Sequence, residues 1–291
     1  MASIGLALQI LVLNYVRRSS AAVACRGVAL VAAAPHRRRS PIVSVLRRLL
    51  PVLAATLVAG AGGQSAFAQS PAARPLTIVI YGGSGAIGSR IANEAAARGH
   101  SVVIVDRAPK PELAPKGAQL VTGNALDPQD VLKNAAGADV LVSAVVVRPA
   151  PTPDFALSVV KSYVQGLRQQ PGPKKTRLLV VGGASSLYNA QGQRLIDTRP
   201  MPGNTAMLGE VKSAVDSLDY LRTVNDVTWT FFSPAGSIRP GTRTGKFRLG
   251  TEQIVVDDKG SSAISMEDYA VAALDEIEKP QFLNRRFTVG Y

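Results

Sequence analysis

Glycines with the spacing of a phosphate-binding turn follow a run of β-branched residues in the segment IVIYGGSGAIGS, residues 78–89. A glycine at a strand end can adopt a positive φ, and without a Cβ it lets the backbone approach a phosphate. A helix that begins directly after the turn adds unpaired N–H groups and the positive end of its dipole. The segment therefore predicts a turn that binds the pyrophosphate of a dinucleotide. The candidate cofactor-binding residues of this turn are Gly82, Gly83, Ser84, Gly85, Ala86, Ile87 and Gly88.

A second candidate for nucleotide recognition is Asp106, the last residue of the apolar run SVVIVD. It lies 24 residues beyond Gly82, near the spacing of about 20 expected for the acid that meets the adenosine ribose. Its carboxylate can accept a hydrogen bond from a ribose 2′-hydroxyl and repels a 2′-phosphate, which favours NADH. The alternative is an ordinary strand–helix turn in which Asp106 only caps a helix.

Short apolar runs alternate with helical patterns along most of the chain. The predicted strands are 76–81, 101–106, 119–122, 140–146, 177–181 and 227–232, and the predicted helices are 87–98, 128–136, 155–169 and 204–224. Continuous Val, Ile and Leu in strands separated by helices indicate βαβ units around a parallel sheet covered on both faces. In the tail we expect a hairpin-like pair of 253–256 with 263–265, a helix from a Ser265 cap to Glu278 and a last strand at 286–289. The predicted fold class is α/β, with a Rossmann-like doubly wound parallel sheet.

The first 68 residues differ from the rest in composition, because they hold eight arginines and no Asp or Glu. The apolar run LLPVLAATLVAG follows arginine pairs and leads to Ala66-Phe67-Ala68, which gives the basic, apolar and cleavage parts of a secretory signal. We expect a leader with a signal peptide at 1–68, cleaved after Ala68, a linker at 69–75 and an NAD(P)-binding domain at 76–291. If the leader is a signal peptide, the expected location is exported and periplasmic; if it is not, the expected location is cytoplasmic. An uncleaved anchor, a long transit peptide, a start further downstream and the twin-arginine route stay open as alternatives.

The composition of the remaining chain excludes several classes of function. Removing the eight arginines of the leader lowers the formal net charge from +13 to +5. This dispersed excess lacks interleaved aromatic residues, so nucleic acid is not an expected partner. Cys25 lies in the leader and His100 is the single histidine after it, which argues against a metal site, a thiol nucleophile and a Ser-His-Asp triad. We expect a small-molecule substrate and no stable membrane span in the mature chain, while the oligomeric state stays open.

Four segments resemble a known family. The Gly-x-x-Gly-x-x-Gly spacing in GGSGAIG is similar to that of the extended and atypical short-chain dehydrogenases. The resemblance continues in VTGNALDPQDVLKNAAGADVLVSAV, in RLLVVGGASSL and in VTWTFFSPAGSIRPGTRTGKFRLG. Over 76–291 the chain most resembles the NmrA-like NAD(P)H-binding family, in its group of NADH-flavin reductases. The resemblance implies a Rossmann-type domain with a small C-terminal substrate-side region, and NAD(P)H as the cofactor.

The resemblance also suggests roles for residues around the adenosine. Arg107 stands where the family places an arginine that favours a 2′-phosphate, in opposition to Asp106. Asn124 and Ala125 fall in the adenine-side loop, and Asn124 replaces the acid that many relatives carry. The expected cofactor is therefore NAD(P)H, with NADH and NADPH both open.

The predicted catalytic apparatus is incomplete. The better-known short-chain dehydrogenases use a Tyr and a Lys four residues later, which lowers the tyrosine pKa, but no Tyr-x-x-x-Lys occurs after the leader. Lys212 resembles the family lysine, although Leu208 stands four residues before it. Ser185 and Ser186, in GGASSL, are the polar groups best placed for the nicotinamide or the substrate. The alternatives are an exposed helix lysine and two serines that only shape a turn.

Together these residues predict an NAD(P)H-binding oxidoreductase that reduces a flavin, a quinone or a similar small acceptor by hydride transfer. Such a reaction needs positioning and cofactor binding more than a dedicated acid. The alternative is a non-catalytic NAD(P)-binding regulator or redox sensor of the NmrA-like type, which the missing Tyr-Lys pair leaves open.

Overall fold

Strands and helices alternate along the chain, as the apolar runs predict. The computed structural model describes residues 74–173, 175–198 and 205–291. The strands are β1 Thr77–Tyr81, β2 Ser101–Asp106, β3 Gln119–Thr122, β4 Val140–Ser143, β5 Arg177–Val181, β6 Trp229–Ser233, β7 Ser237–Arg239, β8 Arg248–Gly250, β9 Ala263–Ser265 and β10 Arg285–Gly290. The helices are α1 Ala86–Ala97, α2 Pro128–Asn134, α3 Phe155–Arg168, α4 Leu195–Thr198, α5 Thr205–Leu221 and α6 Met266–Glu278. One-turn 3-10 helices lie at Pro111–Leu113 and Ala184–Ser186.

Within the described chain, one sheet of eight strands has the order β3-β2-β1-β4-β5-β6-β10-β8. Its neighbouring strands are parallel, except that β8 is antiparallel to β10. The chain builds β1, β2 and β3 towards one edge and then returns to place β4 on the other side of β1. The predicted Rossmann-like doubly wound sheet is confirmed, with its switch point between β1 and β4.

Both faces of the sheet are buried, which is why its strands are continuous apolar runs. Ile80 of β1 faces the layer that contains Ile91 of α1 and most of α6. Val79, its neighbour in the strand, faces the opposite layer, which contains Tyr163 of α3 and Leu218 of α5. Since α1 and α5 follow parallel strands and α6 precedes one, all three helices begin near the carboxyl edge of the sheet. The loops that join strands to helices at this edge therefore lie side by side.

The Ser265 cap of α6 is confirmed, because its Oγ accepts a hydrogen bond of 3.0 Å from the N–H of Asp268. In the described ranges, no helix has both the length and the apolar character needed to cross a membrane. The leader and linker residues 1–73 lie outside the described residues, so the domain boundaries and the signal peptide stay predictions. The first residue of the helix predicted at 204–224 also lies outside them.

The prediction for β4 was too long. The strand ends at Ser143 rather than at 146, and Val146 is 61% exposed. The N–H of Ala144 still donates to the carbonyl of Tyr81, at 2.8 Å, after which the chain leaves the sheet. The apolar run continues past this point because Ala144 and Val145 still pack against the two core layers.

The predicted hairpin in the tail was wrong. Segment 263–265 pairs in parallel with β7, whereas Gln253 forms a bridge to Tyr188 after β5. The intervening DDKGSS is a local turn, closed by a 2.8 Å hydrogen bond from Asp257 N–H to the Ser261 carbonyl. The turn residues were recognised, but the partners of its flanks lie far away in the sequence. The short elements β7, β8 and α4 were not predicted.

Candidate functional site

The turn between β1 and α1, residues 82–88, is called here the phosphate turn. Gly82 has a φ of +82°, which side chains other than that of glycine rarely adopt. A Cβ on Gly82 would also stand 2.5 Å from the carbonyl oxygen of Ala144. The glycine is thus required both by its own φ and by the close approach of the chain after β4. The backbone of Ala144, a residue that was not among the sequence-based candidates, is the part of the chain that lies against Gly82 at the switch point.

Gly83 and Gly88 are required by packing around the same turn. A Cβ on Gly88 would lie 2.1 Å from the carbonyl oxygen of Gly82, and one on Gly83 would lie 2.8 Å from Cγ2 of Ile104. The missing side chains let α1 begin directly against the end of β1. Two further bonds define the turn: Gly82 N–H donates to the Val105 carbonyl and Gly85 N–H to the Gly82 carbonyl, each at 3.0 Å.

The N-terminus of α1 is open. Gly85 is its N-cap, no side chain caps the helix, and its first turn contains no acid. A Cβ on Gly85 would meet only the Gly82 carbonyl, at 3.1 Å. Within the described part of the chain, the N–H groups of Ala86, Ile87 and Gly88 have no protein acceptor. Free N–H groups and the positive dipole end attract an anion here, and the glycine leaves room for it.

Asp106 stands beside the phosphate turn, at the carboxyl end of β2. Its Oδ2 accepts a hydrogen bond of 2.7 Å from the N–H of Ser84, and the Oγ of Ser84 accepts one of 3.0 Å from the N–H of Lys110. The carboxylate is therefore held next to the turn, as its distance in sequence from Gly82 predicted. Arg107, the next residue, is exposed.

The loop after β3 contains Asn124 and Ala125, which are predicted to lie near the adenine. The Oδ1 of Asn124 accepts a hydrogen bond of 3.0 Å from the N–H of Leu126, so its side chain shapes the loop, and Ala125 packs partly buried against the core. Gly123, which sequence reasoning did not include, donates its N–H to the Asp106 carbonyl at 2.9 Å. A Cβ on Gly123 would lie 2.4 Å from Val105. A glycine directly after a predicted strand was the available signal for this residue.

The loop after β5, residues 182–188, is called the β5 loop. It contains both candidate serines, and they have different surroundings. Ser185 is half-buried, whereas Ser186 is 2% exposed and its Oγ accepts a hydrogen bond of 3.0 Å from Nη1 of Arg286. Arg286, on β10, was not a candidate in the sequence. It lies 100 residues away, and no local pattern distinguishes it from the adjacent Arg285.

Lys212 lies on α5 with an exposed side chain. Its Nζ pairs with Oδ2 of Asp216 at 2.6 Å, one helical turn further on. This is an ordinary surface pair on a helix. In the described chain Lys212 has no hydrogen bond to the β5 loop, so its role at the nicotinamide stays a prediction.

Three buried tyrosines stay protonated near neutral pH. Burial raises the pKa of Tyr81, Tyr163 and Tyr269 well above the ordinary value for a tyrosine. Tyr81 Oη also donates to Oδ1 of Asp130 at 2.7 Å, a contact that favours its protonated form. These phenols therefore do not replace the missing tyrosine of the Tyr-Lys pair.

The family model for NAD(P)H-binding proteins matches residues 82–280, which begin at the phosphate turn and reach past α6. The chain belongs to this NAD(P)H-binding family. The expected nicotinamide cofactor is thus confirmed, and the residues of the open turn fit its pyrophosphate.

Three similar proteins with solved structures agree with this family assignment. A candidate exported protein from Burkholderia pseudomallei is 40% identical, with a TM-score of 0.65, over 74% of this chain and 100% of that chain. A candidate epimerase from Bacteroides thetaiotaomicron is 37% identical, with a TM-score of 0.68, over 75% and 98%. A candidate NADH-flavin reductase from Streptococcus pneumoniae TIGR4 is 31% identical, with a TM-score of 0.64, over 74% and 99%. The resemblance to the atypical short-chain dehydrogenases is confirmed.

Proposed function

We propose that the protein is an NAD(P)H-dependent reductase of a flavin, a quinone or a similar conjugated small acceptor, in the NmrA-like branch of its family. The observation that carries the proposal is the uncapped N-terminus of α1 at the switch point between β1 and β4, where Gly85 leaves room for a pyrophosphate. The similar candidate NADH-flavin reductase from Streptococcus pneumoniae supports the acceptor class.

The described residues divide the task of binding. The N–H groups of Ala86, Ile87 and Gly88 would hold the pyrophosphate, and the carboxylate of Asp106 would accept a hydrogen bond from the adenosine ribose. Ser185, on the β5 loop, lies at the same edge of the sheet, and its hydroxyl is the polar group that would contact the nicotinamide or the acceptor. Parallel strands bring these loops together because their carboxyl ends meet at one edge.

When bound, NAD(P)H supplies a hydride, which carries two electrons from the nicotinamide ring to the acceptor. The protein would bring the acceptor and the bound cofactor together, and solvent would supply the proton that completes the reduction. Positioning alone can lower a barrier by about 7–11 kcal/mol. A dedicated acid is unnecessary for this reaction, which agrees with the absence of a Tyr-x-x-x-Lys pair after the leader.

An epimerase activity, suggested by the name of the similar protein from Bacteroides thetaiotaomicron, suits this site less well. Epimerisation at a carbon centre requires a group that removes and returns a proton. The buried tyrosines have raised pKa values, and Lys212 is paired with Asp216. These tyrosines and Lys212 therefore do not supply such a group, whereas hydride transfer to a conjugated acceptor does not need one.

A non-catalytic regulator or redox sensor is the second candidate. Ser186 is buried against Arg286 and Lys212 is paired on the surface of α5, so two of the three predicted catalytic groups have structural partners. Such a protein would bind NAD(P)H without turning it over.

The deciding experiment measures the loss of nicotinamide absorbance when the purified full chain meets NADH or NADPH with flavin and quinone acceptors. We expect acceptor-dependent loss that disappears in Gly85→Asp, whose carboxylate occupies the place of the phosphate. The matched control is Gly85→Asn, which has the same size without the charge and should retain more activity. Tight nucleotide binding without turnover would favour the regulator instead.

We also propose that the protein is exported, as the acid-free leader suggests and as the name of the similar protein from Burkholderia pseudomallei supports. The test is fractionation of cells that express the full chain, with the N-terminus of the product determined. A periplasmic product that begins at Gln69 would support cleavage after Ala68. An unprocessed cytoplasmic product would contradict export.

A further inference from the structure

The side chain of Arg286 is the largest charged group in the interior of the described chain. Arg286 lies in β10 opposite Phe231 of β6, and none of its side chain is exposed. The next residue back along the strand, Arg285, is exposed. The two arginines therefore occupy opposite faces of the same strand, and only one points into the protein.

Three segments of the chain contact the guanidinium of Arg286. Nη1 donates to Oγ of Ser186 at 3.0 Å. Nη2 donates to the carbonyl of Glu252 at 3.3 Å and pairs with its carboxylate. The ring of Tyr188 lies beside it, with 5.8 Å between Cζ and the ring centroid. Arg286 thus joins β10, the β5 loop and the segment 251–254, which is called here the Glu252 segment.

The β5 loop and the Glu252 segment are also joined to each other. The N–H of Tyr188 donates to the Glu252 carbonyl at 2.9 Å, and the N–H of Ile254 donates to the Tyr188 carbonyl at 3.0 Å. The Glu252 carboxylate also accepts from Arg222 of the α5 end, at 2.8 Å. The backbone hydrogen bonds thus connect the β5 loop to the Glu252 segment, and the guanidinium of Arg286 donates hydrogen bonds to both segments.

Burying the charged guanidinium of Arg286 carries a desolvation cost. Burial lowers the pKa of Arg286, and the carboxylate of Glu252 opposes that effect. Its Nε is buried and has no hydrogen-bond partner in the described chain. Apolar residues often replace buried charged groups without loss of stability, and here the arginine is buried while its partner Glu252 is 45% exposed. The particular contribution of Arg286 is therefore that its two Nη atoms donate to two different segments, Ser186 and Glu252.

That geometry gives the two adjacent serines separate roles. Ser186 turns inward and accepts from Arg286, while Ser185 stays half-buried at the carboxyl edge. We propose that Arg286 is a positioning residue, which fixes the β5 loop against the Glu252 segment so that Ser185, and not Ser186, meets the reacting end of the nucleotide or the acceptor. This inference rests on the proposed reductase function.

The first test compares Arg286→Met and Arg286→Lys with the matched control Arg285→Met. A misplacement of about 1 Å can lower a rate by about 100-fold, so we expect kcat of Arg286→Met to fall by about 10- to 100-fold. Lysine lacks the fork and should restore only part of kcat. The dissociation constant for NAD(P)H should change much less than kcat, because the phosphate turn, which would hold the pyrophosphate, is separate. A parallel loss of nucleotide affinity, or an unchanged kcat, would overturn the proposal.

Serine variants keep the proposal testable if Arg286→Met does not fold. Ser185→Ala removes a hydroxyl at the edge, and Ser186→Ala removes only the acceptor of Arg286. We expect Ser185→Ala to raise the KM for the acceptor or lower kcat while the melting temperature is unchanged. Ser186→Ala should lower the melting temperature and disturb kcat less. The reverse pattern would assign the reacting end to Ser186 and contradict the inference.

Amide hydrogen exchange separates this inference from the function on which it rests. Absence of turnover in the wild-type chain with every acceptor would refute the reductase, not the positioning contact. Loss of protection at Tyr188 and Ile254 in Arg286→Lys, with residues 82–88 unchanged, would support the positioning role. Unchanged protection at those two amides would overturn it.

Discussion

The phosphate turn and the β5 loop have similar sequences, but the first leaves its hydrogen-bond donors free and the second is bonded to a distant side chain. Each follows a parallel strand with a pair of glycines, Gly82-Gly83 in one and Gly182-Gly183 in the other, and then small polar residues. In the first, a helix starts with free N–H groups and no capping side chain. In the second, a buried guanidinium from β10 holds the serine. Similar small-residue sequences thus form an open anion site in one place and a held loop in the other.

The difference shows where each property originates. The phosphate turn is open because of what its own residues lack, namely side chains that would cap the helix or fill the turn. The β5 loop is held because of a residue far along the chain. Changes in the turn should therefore alter binding directly, whereas changes around the β5 loop should act through the packing of distant segments.

Gly88→Ala should give the largest effect. Its Cβ would stand 2.1 Å from the backbone oxygen of Gly82, and overpacking of this kind costs about 1–3 kcal/mol of stability. We expect a lower melting temperature together with loss of nucleotide binding, measured by thermal unfolding and calorimetric titration. The control is Ser89→Ala, the next residue in α1. Normal binding in Gly88→Ala would show that α1 can shift away from β1 and would weaken the contrast.

Gly85→Asp should separate binding from stability. The backbone of Gly85 is extended, with φ −81° and ψ 171°, and an Asp N-cap exceeds Gly by only a few tenths of a kcal/mol. A Cβ here would lie 3.1 Å from the Gly82 carbonyl oxygen, so we expect the same small loss of stability in Gly85→Asp and Gly85→Asn, while NAD(P)H affinity falls by about 100-fold in Gly85→Asp because the carboxylate replaces the anion. Gly85→Asn tests bulk without charge. Equal losses in the two variants would mean that space, rather than charge, governs the site.

Asp106→Asn should shift the choice between nucleotides. The amide oxygen can still accept from the N–H of Ser84, which the carboxylate now does at 2.7 Å, but the charge is gone. A like charge near a 2′-phosphate costs about 1–4 kcal/mol, so NADPH affinity should rise by about tenfold relative to NADH. Arg107→Met is the opposing variant and should lower NADPH affinity. Unchanged affinity ratios in both would place the adenosine ribose elsewhere.

Acid should weaken the packing of the C-terminal region on α1. The hydrogen bond from Arg243 is the main cause that lowers the pKa of Glu94, burial opposes it, and Arg98 also lowers it. Because the folded-state pKa is below the unfolded one, this stability is complete above the unfolded pKa, about 4.3. It is lost as the pH falls through the folded pKa.

We therefore expect the melting temperature to fall as the pH decreases from about 4.3 through the folded-state pKa of Glu94. Arg243→Met should make this dependence shallower, since it removes both 2.8 Å bonds from the guanidinium to Glu94. Arg239→Met, an exposed residue near the same segment, is the control. Superimposable pH profiles for Arg243→Met and the wild type would contradict this assignment.

Lys212→Met should give the smallest change. An exposed i,i+4 ion pair contributes about 0.3–0.5 kcal/mol, so the melting temperature should hardly move. If Lys212 only occupies the surface, kcat and the NAD(P)H dissociation constant should also stay within about twofold. A tenfold or larger loss of nucleotide affinity would instead support its predicted contact with the nicotinamide ribose and would extend the open site towards α5.

The amino-acid sequence determined the features that depend on neighbouring residues. The β-branched runs specified the parallel strands, because buried strands need continuous apolar side chains. The glycine spacing specified the phosphate turn, because φ, helix start and space are decided within seven residues, 82–88. Asp106 followed from its distance along one βαβ unit.

Only the tertiary structure decided which distant segments meet. The turn at 257–261 was visible in the sequence, but segment 263–265 pairs with β7 and Gln253 pairs with Tyr188. In the same way, Arg285 and Arg286 look alike in the sequence, and the register of β10 alone turns the second inward to Ser186. The physical reason is that strand partners and buried charges are selected by packing free energy summed over the whole sheet, which no local pattern contains.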